Sequence, residues 1–319
     1  MPVRCATAHR AARRGVTLMA LHCWSSPRYA ITLPEGHRFP MSKYALLREG
    51  ALVQRLVDPA YLHEPARVSH DDLWRVHDRP YVHGVEHGTL DPAHQRRIGL
   101  PWSDAFVERA FRVVRGTIEA STHAVTHGIA MNLAGGTHHA FADHGEGFCV
   151  FNDVAIAIRR LQAMRVIRRA CIVDLDVHQG NGTNAIFAGD DSVYTFDMHG
   201  AKNFPFHKVA ASRDEELEDG TDDAAYLARL ALALPEVLRD AHPDLVVYLA
   251  GADPHEGDRL GRLKLTFAGL AQRDELVLRT CREIGLPVCI TIAGGYGRDI
   301  TDTVRVHLQT VAIAARHAL

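Results

Sequence analysis

The segment "CIVDLDVHQGNG" (171–182) places Asp174, Asp176 and His178 at alternate positions where an apolar run ends. Side chains at i and i+2 of an extended chain point to the same side, so the three can face one spot at its exit. A carboxylate with an imidazole suits Zn²⁺ or another borderline divalent ion, and such a site needs a third ligand. Asp253, in "GADPHEGD" (251–258), is the best candidate because it too follows an apolar run. Three protein ligands leave a coordination position open for water, whose pKa a metal lowers to about 7. The chemistry of such a site is hydrolytic. A single Asp at a strand end is as readily a helix N-cap or a turn former, but that explanation is far weaker for the set.

Positioning these residues requires a scaffold, and the chain alternates accordingly. The apolar, β-branched runs at 128–134, 171–176, 192–197, 244–250 and 287–293 read as strands buried on both faces, with a first strand near "MALHCW" (19–24). Helical patterns lie between them. Residues 104–126 follow a Ser103 N-cap, and Val107, Ala110, Phe111, Val114 and Ile118 fall on one helix face. Further helices are expected at 153–164, 222–239, 267–284 and 299–318. This alternation predicts a single α/β domain with a central, mostly parallel β-sheet flanked by helices on both faces. In such sheets ligands bind beyond the carboxyl ends of the strands. Four loops there carry unusual residues: "GGTHHAFADHGEGFCVFND" (135–153), "DLDVHQGNG" (174–182), "GADPHEGD" and "GGYG" (294–297). The glycine-rich "GGTHH" lacks the GKS/T of a P-loop and the GxGxxG spacing, which excludes a phosphate-binding reading.

Composition narrows the function classes. At 319 residues the chain can bury a sizeable core, and 47% hydrophobic with 23% charged residues is ordinary for a globular protein. A formal net charge of −2 gives no overall pull towards nucleic acid or an anionic membrane. The six cysteines show no CxxC pair and no framework spacing, which fits reduced thiols and a cytoplasmic location. No apolar run approaches the ~18 residues of a membrane span. Residues 1–19 are basic with only a weak apolar stretch, and are expected to be a disordered or mis-started extension ahead of a catalytic domain over 20–319.

The four loop segments, in this order and at these separations, resemble the histone deacetylase superfamily, within the arginase/deacetylase fold. "HQGNG", with Asn181, resembles its class IV branch and related bacterial deacetylases. The similarity runs over about 20–318, including "HRFPMSKY" (37–44) and "ELEDGTDD" (216–223). The resemblance implies that Asp176, His178 and Asp253 ligate Zn²⁺, with Fe²⁺ as the alternative. It implies that His138 and His139 are the tandem histidines, the second acting as base, and that Tyr296 donates a hydrogen bond to the scissile carbonyl. Asp174 would orient His138 and lie beside a structural K⁺ or Na⁺. Asn181 would orient His139, while Gly147, Phe148 and Phe204 would wall the acyl-lysine channel. The implied activity is removal of an acyl group from a lysine peptide or a related acylated primary amine, with no direct nucleic-acid or membrane partner. Acetylpolyamines and other small acylamines remain open as substrates, as do the acyl length and the oligomeric state. An arginase-like ureohydrolase would bind two Mn²⁺, yet Gly180 follows at the next alternate position and no DxD surrounds Asp253. A scaffold that binds acylated ligands without turnover is the non-enzymatic alternative.

Overall fold

In the runs that carry the candidate residues, every strand position is buried. This holds for β3 (Ile129–Asn132), β4 (Ala170–Asp174), β7 (Leu245–Leu249) and β8 (Val288–Thr291), numbered together with β1 (His22–Trp24), β2 (Leu62–His63), β5 (Val193–Gly200) and β6 (Arg213–Leu217). They belong to a computed structural model that describes residues 21–318. The expected extension over 1–19 lies outside the described residues. The eight strands form one sheet in the order β2-β1-β3-β8-β7-β4-β5-β6, and every pairing is parallel. The sheet is therefore wholly parallel.

Alternate residues of the central strands feed two apolar layers. Cys171, Val173, Val246, Tyr248 and Ile290 pack on one face, and Ile172, Val247, Leu249 and Cys289 on the other. That is the pattern of strands covered on both sides by helices. The helices are α1 (Lys43–Val53), α2 (His70–Leu73), α3 (Arg79–His87), α4 (Pro92–Ile98), α5 (Asp104–His127), α6 (Asp153–Ala163), α7 (Asn181–Phe187), α8 (Asp223–Ala241), α9 (Phe267–Glu283) and α10 (Ile300–His317). In α5, Ser103 Oγ accepts the Phe106 N–H at 3.1 Å, so the expected cap forms.

Two differences from the sequence expectation have physical causes. The run 128–134 is in strand register only over 129–132, because the chain bends at Leu133 and Ala134 into the glycine-rich loop, keeping single bonds from Leu133 N to Trp24 O and from Ile292 N to Ala134 O. β6 is an edge strand of sequence RDEEL, with Arg213 and Arg229 bonded to Glu215. Charge along an edge blunts further pairing and removes the apolar signal by which strands are read.

Candidate metal centre and its channel

β4 and β7 are hydrogen-bonded neighbours, so the loops that leave their carboxyl ends start side by side. Arg273 of α9, fully buried, clamps both exits by donating to Leu175 O at 3.3 Å and Gly251 O at 2.6 Å. Its charge is met by Asp274, whose carboxylate also accepts from Tyr248 Oη and Thr310 Oγ1. Backbone N–H groups then aim the carboxylates. Asp176 Oδ1 accepts from His178 N and Oδ2 from Gly294 N, while Asp253 Oδ1 accepts from Val177 N. The "GGYG" loop must pass close to this pair. A Cβ on Gly294 would collide with Asp253 Oδ2 and lie 2.5 Å from Asp176 Oδ2, so glycine is required there.

Asp176, His178 and Asp253 each offer a ligand atom to one buried cluster, which is the single such group among the described residues. His178 Nδ1 lies 3.0 Å from Asp176 Oδ1 and 3.3 Å from Asp253 Oδ2. Ligand atoms bound tetrahedrally at zinc distances stand about 3.4 Å apart, so these spacings fit one such ion. Asp253 Oδ2 is buried and otherwise has no hydrogen-bond partner, a costly state for a carboxylate oxygen unless a cation meets it. Burial and the neighbouring Asp176 push the Asp253 carboxyl up to about 7. Burial alone would lower the His178 pKa, but hydrogen bonds to Asp176 and Asp253 outweigh it and raise it to about 10. The trio is built to hold positive charge. Asp174, although at the alternate position, stands apart from it: its Oδ2 faces His138 and its Oδ1 accepts from Asp176 N.

The tandem histidines meet different partners. His138 Nδ1 is 2.7 Å from Asp174 Oδ2, and His139 Nδ1 is 2.7 Å from Asn181 Oδ1. Asn181 Nδ2 donates to Glu146 Oε1 at 2.7 Å, which fixes the amide orientation and turns its oxygen to His139. His139 therefore carries its proton on Nδ1 and leaves the Nε2 lone pair free. Burial opposes charge on both rings, but Asp174 and Asp176 outweigh it at His138 and raise its pKa to about 9. At His139 burial, reinforced by His138 and His178, drives the pKa well below 6.5. One ring of the pair favours its charged form and the other its neutral form.

Over this floor stands a cavity of about 490 Å³. Buried His139, His178 and Tyr296 form its inner end, and Gly147, Phe148 and Phe204 its sides. Gly147 and Phe148 both adopt positive φ, +56° and +67°. A Cβ on Gly147 would sit 2.7 Å from His139 Cδ2, so this wall reaches the histidine only because the residue is glycine. Phe204 stands edge-on to His139 with ring centroids 4.9 Å apart. Tyr296 is held through its backbone N–H by Asp258 Oδ2 at 2.6 Å. Burial, with Cys149, Asp176 and Asp253 nearby, keeps its phenol protonated far above the usual range.

The structure thus gathers every site residue expected from sequence around one cavity or directly behind it. Sequence reasoning missed Arg273, Asp274, Asp258 and Glu146. Arg273 and Asp274 had a readable signal, since both interrupt the apolar face formed by Leu270, Val277, Leu278 and Cys281 of α9. Glu146 had none, because its role follows from a contact with Asn181 35 residues away.

Comparison with known proteins places the chain among others of one family and fold. Residues 37–311 match the family model described as "Histone deacetylase domain". The chain is 47% identical over 281 residues to an uncharacterised protein of Picosynechococcus, covering 88% of this chain and 94% of that one. It is 33% identical to "Histone deacetylase 2" of Arabidopsis thaliana, over 84% of this chain and 73% of that one. Among solved structures, an "HDAC homolog" from Aquifex aeolicus superposes with a TM-score of 0.81 at 20% identity, covering 93% of this chain and 84% of the other.

Proposed function

The chain belongs to the histone deacetylase family, and from that premise we propose that it is a zinc-dependent amidohydrolase that removes an acyl group from acyl-lysine or a related acylated primary amine. The observation that carries this reading is the convergence of the Asp176, His178 and Asp253 trio with a neutral histidine and a protonated tyrosine at the inner end of one cavity. Zn²⁺, or Fe²⁺ in the same ligands, lowers the pKa of water and polarises the scissile carbonyl when bound.

The protein groups supply the remainder. His139, neutral with Nε2 free, takes the proton of the attacking water and delivers it to the departing amine. His138, held through Nδ1 by Asp174, keeps a positively polarised N–H environment beside that water. The Tyr296 hydroxyl donates a hydrogen bond to the carbonyl oxygen as it becomes an oxyanion. Gly147, Phe148 and Phe204 wrap the methylene stem of the amine and exclude water from it. A monovalent K⁺ or Na⁺ beside Asp174 belongs to the same proposal: Asp197, paired with Asp174 across β4 and β5, is a second buried carboxylate there, and burial with Asp174 pushes it up to about 8.

Turnover of acetyl-lysine peptides, read by mass spectrometry, tests the reading. Chelator-treated protein is expected to be inactive and to recover with Zn²⁺ or Fe²⁺; product formed by metal-free protein would overturn the mechanism.

A further inference from the structure

The outer end of the cavity is as distinctive as the inner one. Arg96 and Arg97 from the last turn of α4, Lys202 after β5, and Arg262 from the loop before α9 all line it. The only carboxylate in that lining is Glu146, which is engaged by Asn181. Asp219 offsets part of the charge, lying 3.1 Å from Arg262 and 4.0 Å from Lys202. Neither Arg96 nor Arg97 takes part in an ion pair among the described residues. A positive mouth thus sits on a chain whose formal net charge is −2. The two arginines also complement the carboxyl end of α4. Lys202 and Arg262, which share the single carboxylate of Asp219, come from two other segments and meet the arginines at the same opening.

We infer that the substrate of this site is an acylated amine with net negative charge beyond the reacting amide, and that polyamines are disfavoured. The inference rests on the proposed amidohydrolase reading and specifies its substrate. Like-signed cations around a low-dielectric cleft concentrate anions and repel cations, an effect that salt screens. An acetylated polyamine keeps at least one ammonium and would place it among Arg96, Arg97, Lys202 and Arg262. A carboxylate at the same distance is attracted. Phe206, 84% exposed beside this rim, adds an apolar surface for whatever joins the stem to the anionic group.

Three probes of equal stem length isolate the charge: acetamidohexanoate, N-pentylacetamide and N-acetylcadaverine, respectively anionic, neutral and cationic. Acetyl-lysine peptides flanked by Asp, Ala or Lys form a parallel series. With zinc-loaded full-length protein at low salt, kcat/KM is expected to fall from anionic to neutral to cationic, by about tenfold across each series, and the spread should collapse in 1 M salt. Arg96→Glu with Arg97→Glu should invert or abolish the order, scored as the anionic-to-cationic ratio. A preference confined to the peptides assigns an acidic peptide; one present in the small probes assigns a small anionic acylamine. Equal rates across charge, or faster hydrolysis of the cationic members, would overturn the inference and leave the amidohydrolase reading standing. If nothing is hydrolysed, the amidohydrolase reading falls and fluorescence anisotropy of labelled peptides decides the charge preference: tighter binding of the Asp-flanked form keeps an anion-selective mouth for a bound acylamine, and equal binding overturns that as well.

Discussion

The two ends of the cavity handle charge in opposite ways. At the inner end the carboxylates are buried, and each is tied to a specific donor: Asp176 to Gly294 N, Asp253 to Val177 N, Asp174 to His138. At the outer end the charges are exposed cations on flexible stems, two of them without a carboxylate partner among the described residues. Low dielectric makes each inner contact strong and geometrically exacting, whereas water and salt weaken each outer one. In the proposed function the inner end sets the reaction, and in the inference drawn from the rim the outer end biases which molecules reach it.

That contrast predicts a gradient of effects. Removing an inner ligand, by Asp253→Asn or His178→Ala, should release the metal and lower kcat/KM by on the order of 10³ or more, the equivalent of several kcal/mol of transition-state stabilisation. Metal analysis and peptide turnover check it together. One step away from the ligands, His139→Ala should cost about 10²- to 10⁴-fold and Tyr296→Phe about 10²- to 10³-fold in kcat, with metal content retained. A near-normal rate for the tyrosine variant would remove its oxyanion role.

The amide at position 181 offers a finer test. Asn181→Asp alone would set two carboxylates against each other, since Asn181 Nδ2 now donates to Glu146. Combined with Glu146→Gln, the new carboxylate keeps a donor and faces His139 Nδ1. A negative partner favours the imidazolium and raises the His139 pKa. With His139 as the proposed base the neutral ring is the active form, so the acidic limb of the kcat/KM profile should move to higher pH; a shift to lower pH would contradict that proposal. The smallest effect belongs to the rim, where charge reversal at Arg96 and Arg97 should alter substrate preference by about tenfold and lose that effect in high salt.

Legibility in the sequence follows the same division. Asp174, Asp176 and His178 were readable because alternation along a strand is a local geometric rule, and Asp253 because it too follows a buried run. The central strands and the long helices α5, α8, α9 and α10 were readable from their periodicity, but β6 and the short α4 were not, being polar or brief. The roles of His138, Tyr296 and Asn181 came from resemblance, and the structure supplies their partners. Arg96, Lys202 and Arg262 are individually ordinary surface residues. Only the fold brings these three segments to one opening, so no spacing rule would have joined them. The split between Asp174 and the ligand trio was likewise invisible, because alternate positions predict a shared side and not a shared partner.

Metal stoichiometry tests the central claim most directly. Chelator-stripped protein titrated with Zn²⁺, with bound metal measured by mass spectrometry, should take up one tightly held ion per chain in the wild type and none in Asp253→Asn, with acyl-peptide turnover rising in proportion to that ion. A second Zn²⁺ required for activity, or a full complement retained by the Asp253→Asn variant, would contradict the account.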